Sequence, residues 1–233
     1  FALFSYEPEY GRYVPLFFGV LSIPFLGILS HQISKNNSFL LTVFLASINI
    51  YLISYSQEVR PSSLIFFLSI INLIFYYKLV SENKKIFKKI IFFNLFIFFS
   101  VLILSTHPFT FIILFSQIIN SIYFFFFFKK KNYLFFLSVP IILLIYLLFN
   151  FNYLISQLSH SEYFLNHENW KFYYNYYFSR FFGSRIMGII YLSTLIYLII
   201  TFRKKIFYSL NNYLLLIFIL IFSYVIPLSY GYI

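Results

Sequence analysis

The chain has 233 residues, 61% of them hydrophobic and 26% aromatic, with only 10% charged and a mean hydropathy of +0.86. A soluble domain cannot use that much apolar surface, so the composition points to an integral membrane protein. There is no Cys, which excludes disulfides and thiolate metal sites, and the formal charge of +11 is the one feature that invites a nucleic-acid reading.

The chain opens on Phe1 and a polar stretch, Ser5-Tyr-Glu-Pro-Glu-Tyr-Gly-Arg12, with no recognisable signal peptide. That start, and the abrupt end at Ser229-Tyr-Gly-Tyr-Ile233, read as a fragment lacking its N-terminus. Apolar runs long enough to cross a bilayer then follow at about 13–33, 38–54, 61–79, 90–106, 108–128, 133–152, 186–202 and 212–230. The expected architecture is therefore all-α, a polytopic transmembrane bundle of about eight spans in a single domain. Pro24 and Pro140 fall inside runs and suit kinked helices packed among neighbours.

The basic residues set the orientation. Twelve of the 17 Lys and Arg (Lys35, Lys78, Lys84, Lys85, Lys88, Lys89, Lys129, Lys130, Lys131, Arg203, Lys204, Lys205) fall at alternate loops, and five (Arg12, Arg60, Lys171, Arg180, Arg185) at the opposite ones. The positive-inside rule makes the lysine-rich loops cytoplasmic. Topogenesis thus accounts for the positive charge, and no nucleic-acid partner is expected.

The outer face then holds five of the six Glu (Glu7, Glu9, Glu58, Glu162, Glu168) and His107, His160 and His167. Each outside-to-inside helix begins there beside a cation: Arg12, Arg60, His107 and Arg185. A cation at a helix N-terminus opposes the macrodipole, and a bound anion such as a phosphate reconciles the two. Snorkelling of these arginines to lipid headgroups is the simpler alternative. The most unusual cluster is Tyr55-Ser-Gln-Glu58-Val-Arg60-Pro61, placed where the chain leaves the apolar zone, with Pro61 suited to the first turn of the next helix.

In the expected outer loop from about 153 to 185, Trp170 and Phe172-Tyr-Tyr-Asn-Tyr-Tyr-Phe178 read as an interfacial aromatic belt or a helix lining acceptor or lipid access. His160 and His167 with Glu162 and Glu168 match no metal-ligand spacing, so no metal and no cofactor is expected.

Three of these segments resemble motifs of one family. Glu9-Tyr-Gly-Arg12-Tyr-Val-Pro15-Leu-Phe-Phe-Gly19-Val-Leu-Ser-Ile-Pro24 is similar to the "E..R.P...G.L.IP" segment of membrane glycosyltransferases. Tyr55-Ser-Gln-Glu58-Val-Arg60 resembles their "YSQE.R.Y.L" motif, although Pro61 and Ser62 stand where an aromatic often follows. Thr106-His107-Pro108-Phe109 resembles their "THP/THY" turn. The family is that of the dolichyl-phosphate-mannose protein mannosyltransferases and their bacterial relatives, of GT-C fold, and the likeness covers about residues 9–128.

The resemblance implies a GT-C-like bundle, truncated at its N-terminus, in a bacterial inner membrane. It implies transfer of a sugar from a polyprenyl-phosphate donor to a lipid, glycan or protein acceptor on the outer side. Such enzymes usually carry an acidic catalytic residue in the first outer loop, which would precede Phe1. The catalytic residue is therefore unassigned and the chain alone is expected to be inert. For the donor phosphate the candidates are Arg60, Glu58, Gln57, Tyr55, His107 and Arg12. Arg60 offers a bidentate fork to a leaving phosphate as negative charge builds. Glu58 would orient Arg60 or bind sugar hydroxyls.

Two other classes compete. A transporter would place charges at mid-membrane on broken helices. A hydrophobic subunit of a respiratory complex would carry intramembrane Lys/Glu relays, and only Lys78 near a span end approaches that.

Overall fold

A computed structural model of the chain describes residues 10–34, 38–80, 86–107, 110–129, 133, 136, 139–141, 145–146, 148–150, 185–201 and 213–222. These residues are almost entirely helical, with no strand among them. A 3₁₀ turn, Tyr10–Arg12, leads into α1 (Tyr13–Ser34), followed by α2 (Ser38–Ser47), α3 (Ile50–Gln57), α4 (Ser62–Val80), α5 (Ile86–Thr106) and α6 (Phe111–Phe128). The chain divides into two compact units, Phe1–Phe151 and Asn152–Ile233. The second unit contains α7 (Arg185–Thr201) and the apolar helix α8 (Tyr213–Phe222).

Four helices, α1, α4, α5 and α6, are long and apolar enough to cross a membrane. At about 1.5 Å per residue, the 22 residues of α1 reach about 33 Å, enough for a hydrocarbon core of about 30 Å. The polarity is inverted relative to a water-soluble bundle. Phe17, Leu40, Phe87 and Phe127 are exposed, whereas Asn72, Ser100, Ser116 and Gln117 are fully buried. Lipid tails solvate the first set, and the second set finds partners only inside.

Contacts along the helices fix their directions. Moving from Asn72 to Tyr76 on α4 moves the partner on α6 from Gln117 to Asn120, so α4 and α6 run parallel. Asn72 meets Ser100 of α5, and Lys78 lies over the Phe92 ring 5.3 Å away, so α4 and α5 run antiparallel. Phe75 joins the same face, stacked on Phe99 at 5.6 Å. On α1, Ser30 Oγ accepts from Thr42 of α2, while Gly19 faces Ser56 of α3, so α2 and α3 together run back along α1. One end of the first unit therefore carries the start of α1, the end of α3, the start of α4 and the α5–α6 turn. The other end carries Lys78, Lys88, Lys89 and Lys129, in accord with the alternation of basic residues in the sequence.

The second apolar segment departs from the expected continuous run over 38–54. It is two helices, broken at Ile48 and Asn49. Asn49 has extended backbone (φ −74°, ψ 111°), and its side chain accepts from the Leu52 N–H at 3.1 Å. An Asn that caps a new helix takes the backbone out of the old one. The second half runs on to Gln57, so Tyr55, Ser56 and Gln57 form the last turn of α3, and only residues 58–61 make the connection.

The other described helices lie within a few residues of the expected spans. The exception is the last run, expected over 212–230, of which the described part is Tyr213–Phe222. The expected run at 133–152 is described only in part, with helical residues 139–141, 145–146 and 148–150. Glu7, Glu9, Pro108 and residues 151–184, with His160, His167, Trp170 and Arg180, lie outside the described residues.

Candidate functional site

The end of the first unit that carries no lysine is built around the α3–α4 connection. The last carbonyls of a helix need donors from outside it. Here Ser63, itself buried in the first turn of α4, donates from Oγ to the Tyr55 carbonyl at 3.0 Å and so ties the end of α3 to the start of α4. The Arg60 N–H donates to the Glu58 carbonyl at 2.8 Å, closing a three-residue turn over Val59. The Ile65 N–H donates to the Pro61 carbonyl at 2.9 Å and is the first bond of α4. The amides of Ser62 to Leu64 thus head the helix without an intrahelical acceptor, the usual condition for an anion-binding helix end.

α1 supports this turn from one side. A Cβ at Gly19 would lie 2.5 Å from the Ser56 Cβ, so only glycine lets α1 approach α3 this closely. Gly27 plays the same part lower down, against Phe39 and Val43 of α2. Phe18 and Phe25 of α1 both pack on Phe67 of α4, each with ring centroids 5.4 Å apart. The α3–α4 turn is thereby held by packing on both of its helices.

Arg60 Nε lies 3.6 Å from Glu58 Oε2, a loose ion pair in which the Arg60 side chain is 69% exposed and that of Glu58 40% exposed. An exposed pair at this distance adds little to stability. The pair engages Nε alone, so most of the five N–H donors of this exposed guanidinium are open to a ligand. Gln57 is exposed and Tyr55 half-buried, both on the last turn of α3 beneath Arg60. Arg12 is exposed on the 3₁₀ turn that starts α1, at the same end.

His107 lies between α5 and α6, also at that end. The Thr110 hydroxyl makes contacts of 2.9 Å to the Ile103 carbonyl and 2.6 Å to the His107 carbonyl, and the Thr110 N–H donates to the latter at 3.1 Å. These bonds close the turn and fix the His107 backbone. Partial burial pushes the His107 imidazole below its ordinary value. It is therefore better suited to hydrogen bonding as a neutral ring than to serving as a phosphate-binding cation.

The six residues nominated for the donor phosphate, Arg12, Tyr55, Gln57, Glu58, Arg60 and His107, thus share one end of the first unit. Glu58 and Arg60 are in contact, Tyr55 to Arg60 form one continuous segment, and Arg12 and His107 come from separate elements. Among the described residues no group of three or more His, Cys, Asp or Glu converges as a metal site would require.

Polar residues that the motif reading passed over form a second cluster, deep in the bundle. Asn72 Nδ2 donates to Ser100 Oγ at 2.9 Å, and Ser100 in turn donates to the Phe96 carbonyl at 2.7 Å. Gln117 Nε2 donates to Asn72 Oδ1 at 2.6 Å. One turn further along, Asn120 Nδ2 donates to the Tyr76 hydroxyl at 2.6 Å, and that hydroxyl lies 3.2 Å from Ser121 Oγ. Asn72 therefore joins three helices. The signal was present in the sequence: Asn72 and Tyr76 are spaced i, i+4, and Gln117, Asn120 and Ser121 are spaced i, i+3, i+4, each set on one helical face.

No protein-family profile, no curated protein and no solved structure matches the chain.

Proposed function

We propose that the protein is a membrane glycosyltransferase of the GT-C type that moves a sugar from a polyprenyl-phosphate-linked donor to a lipid, glycan or protein acceptor. In this reading it sits in a bacterial inner membrane, with the lysine-rich ends cytoplasmic and the Arg60 end periplasmic. The single observation that carries the reading is the head of α4, where an exposed Arg60 guanidinium, paired loosely with Glu58, stands beside the free amides of Ser62 to Leu64.

A sugar leaving a lipid phosphate transfers negative charge to that phosphate. Guanidinium and helix-end amides stabilise the charge where it develops. Arg60 takes the phosphate oxygens bidentately, Glu58 holds Arg60 or accepts from sugar hydroxyls, and Arg12 supplies a second cation from the start of α1. Gln57 and Tyr55 offer polar groups to the sugar. His107, held towards its neutral form, binds by hydrogen bonding rather than by charge. The resemblance of Tyr55-Ser-Gln-Glu58-Val-Arg60 to the glycosyltransferase motif supports the same assignment. The catalytic acid or base remains unassigned.

One observation favours a transporter instead: the apolar segment made by α2 and α3 is broken at Asn49, as transporter helices often are. The break carries Ile48 and Asn49 and no charge. Tyrosines aside, the ionisable residues of the described first-unit helices, His31, Lys78, Lys88 and Lys89, fall in a first or last turn. That distribution favours the enzyme.

The two readings separate in one experiment. Membranes containing the full-length protein are given a radiolabelled polyprenyl-phosphate sugar, and label is followed into acceptor glycan, lipid or protein. Transfer above that of membranes lacking the protein supports the enzyme. Counter-flow of a solute in proteoliposomes without any transfer would replace it with the transporter.

A further inference from the structure

We propose that an anionic phospholipid binds at the lysine-bearing end of the α4–α5 seam, with its phosphate on Lys78 and Lys88 and an acyl chain along Phe92, Phe75 and Phe99. This site is independent of the glycosyltransferase reading, which concerns the opposite end of the first unit.

Lys78, in the last turn of α4, does not extend away from the bundle. Its Nζ lies 5.5 Å from the ring centroid of Phe75, one turn back on the same helix, and 5.3 Å from that of Phe92 on α5. A helical side chain leans toward the start of its own helix, and for Lys78 that direction is into the apolar zone. A lysine that serves orientation alone snorkels the other way, out to the headgroups. The half-buried Lys78 ammonium is attracted to the two ring faces, but rings supply no counter-ion.

A second cation stands beside it. Lys88, exposed in the first turn of α5, is four residues before Phe92. Residues four apart share a helix face, with Cβ atoms about 5–6 Å apart, so Lys78 and Lys88 meet around the Phe92 ring. The macrodipole favours a cation in a last turn and opposes one in a first turn, so Lys88 in particular calls for an anion. Among the described residues the one carboxylate is that of Glu58, at the other end of the unit.

The rings select which anion. Phe75 lies 6.1 Å from Phe92 and is stacked on Phe99 at 5.6 Å. All three are half-buried, so each keeps part of its surface open along the seam. The strip leads from the lysines toward Ser100 and the middle of the bundle. A soluble anion engages the lysines and leaves the strip uncovered. A phospholipid engages both, as anionic lipids do in basic pockets between membrane helices.

The test is native mass spectrometry of the full chain in detergent, titrated with phosphatidylglycerol or with phosphatidylcholine of the same acyl chains. Phosphatidylglycerol should bind the more tightly, and Lys78→Gln should lower its affinity about fivefold, the effect of one lysine near an anionic headgroup. Lys88→Gln, at an exposed position, should act in the same direction. Lys129→Gln removes the same charge at the same end but from α6, and should cost less than Lys78→Gln. Equal affinity of the wild type for the two lipids overturns the proposal, and this arm decides even if Lys78→Gln fails to fold. Equal losses in Lys78→Gln and Lys129→Gln also overturn it, by reducing the site to diffuse charge attraction. Displacement of phosphatidylglycerol by an equal concentration of glycerol 3-phosphate, which has no chains, would assign the lysines to a soluble anion instead.

Discussion

Gly19 of α1 lies directly against Ser56 of α3, so closely that a Cβ at position 19 would stand 2.5 Å from the Ser56 Cβ. This contact sets how near the first helix comes to the turn that carries Glu58 and Arg60. Gly19→Ala should therefore destabilise the protein by about 1–3 kcal/mol, as overpacking of a filled interface does. Ser56→Gly should restore most of the loss in the double variant, because it removes the atom that Ala meets. Thermal unfolding in detergent of the four members of this cycle measures the coupling. Additive effects would mean that the two residues do not share the contact.

Asn72→Leu keeps the size of the side chain and removes the acceptor for Gln117 and the donor to Ser100. Interhelical hydrogen bonds in membranes average about 0.6 kcal/mol, with a maximum near 1.7. Here the Gln117 donor also loses its acceptor at a fully buried position, so the expected loss is about 1–3 kcal/mol. Asn94→Leu, at an exposed position of the neighbouring α5, should be close to neutral. Equal unfolding temperatures for wild type and Asn72→Leu would contradict the role assigned to the network.

His107 links stability to pH. Its folded value lies below the ordinary imidazole value of about 6.5 because burial disfavours the charged ring. A group depressed on folding contributes stability that is complete above its unfolded value. That contribution is lost as pH falls through the folded value. The wild type should thus lose stability on acidification below about pH 6.5, and His107→Gln should lose less over the same range. The measurement is unfolding temperature against pH for both proteins; parallel curves would show that His107 does not titrate against the fold.

Much of the architecture was legible because the apolar runs are long and the lysine alternation is strong. The ends of α1, α4, α5 and α6 fell close to those read from hydropathy. The break at Asn49 was not legible from hydropathy, since apolar residues continue on both sides of it. Its signal was local: an Asn free to cap the helix that begins at Ile50.

For the same reason Tyr55 to Gln57, which lie beyond the expected end of the second run at 54, form a further helical turn. Average hydropathy also hid Asn72, Gln117 and Asn120, each a single polar residue in an apolar run. Arg60 and Glu58 were legible as a site because charge is rare in this chain, and rarity within an apolar sequence has a physical cost. What they bind is not encoded by hydropathy, and rests on the chemistry of guanidinium and helix-end amides.

Topology has a direct readout, since the chain contains no native Cys. Val59→Cys, half exposed in the α3–α4 turn, should react with an impermeant thiol reagent added from the periplasmic side. Lys88→Cys, exposed near the start of α5, should react only once the cytoplasmic side is opened. The reverse pattern would invert the orientation and remove Arg60 from the face on which the donor is expected.

The decisive measurement is sugar transfer by Arg60 variants of the full-length protein, from a polyprenyl-phosphate sugar in membranes and normalised to protein level. A charge-assisted hydrogen bond is worth about 1.5–3 kcal/mol, so Arg60→Ala should lower transfer at least about tenfold to a hundredfold. Insertion should be unchanged, because the lysine bias that sets orientation is untouched. Arg60→Lys should recover only part of the activity, since Lys keeps the charge but lacks the planar fork. Glu58→Gln should lose less than Arg60→Ala, because it leaves the guanidinium in place. Near-normal transfer by Arg60→Ala would contradict the account, making Arg60 a headgroup anchor and removing the phosphate site from the head of α4.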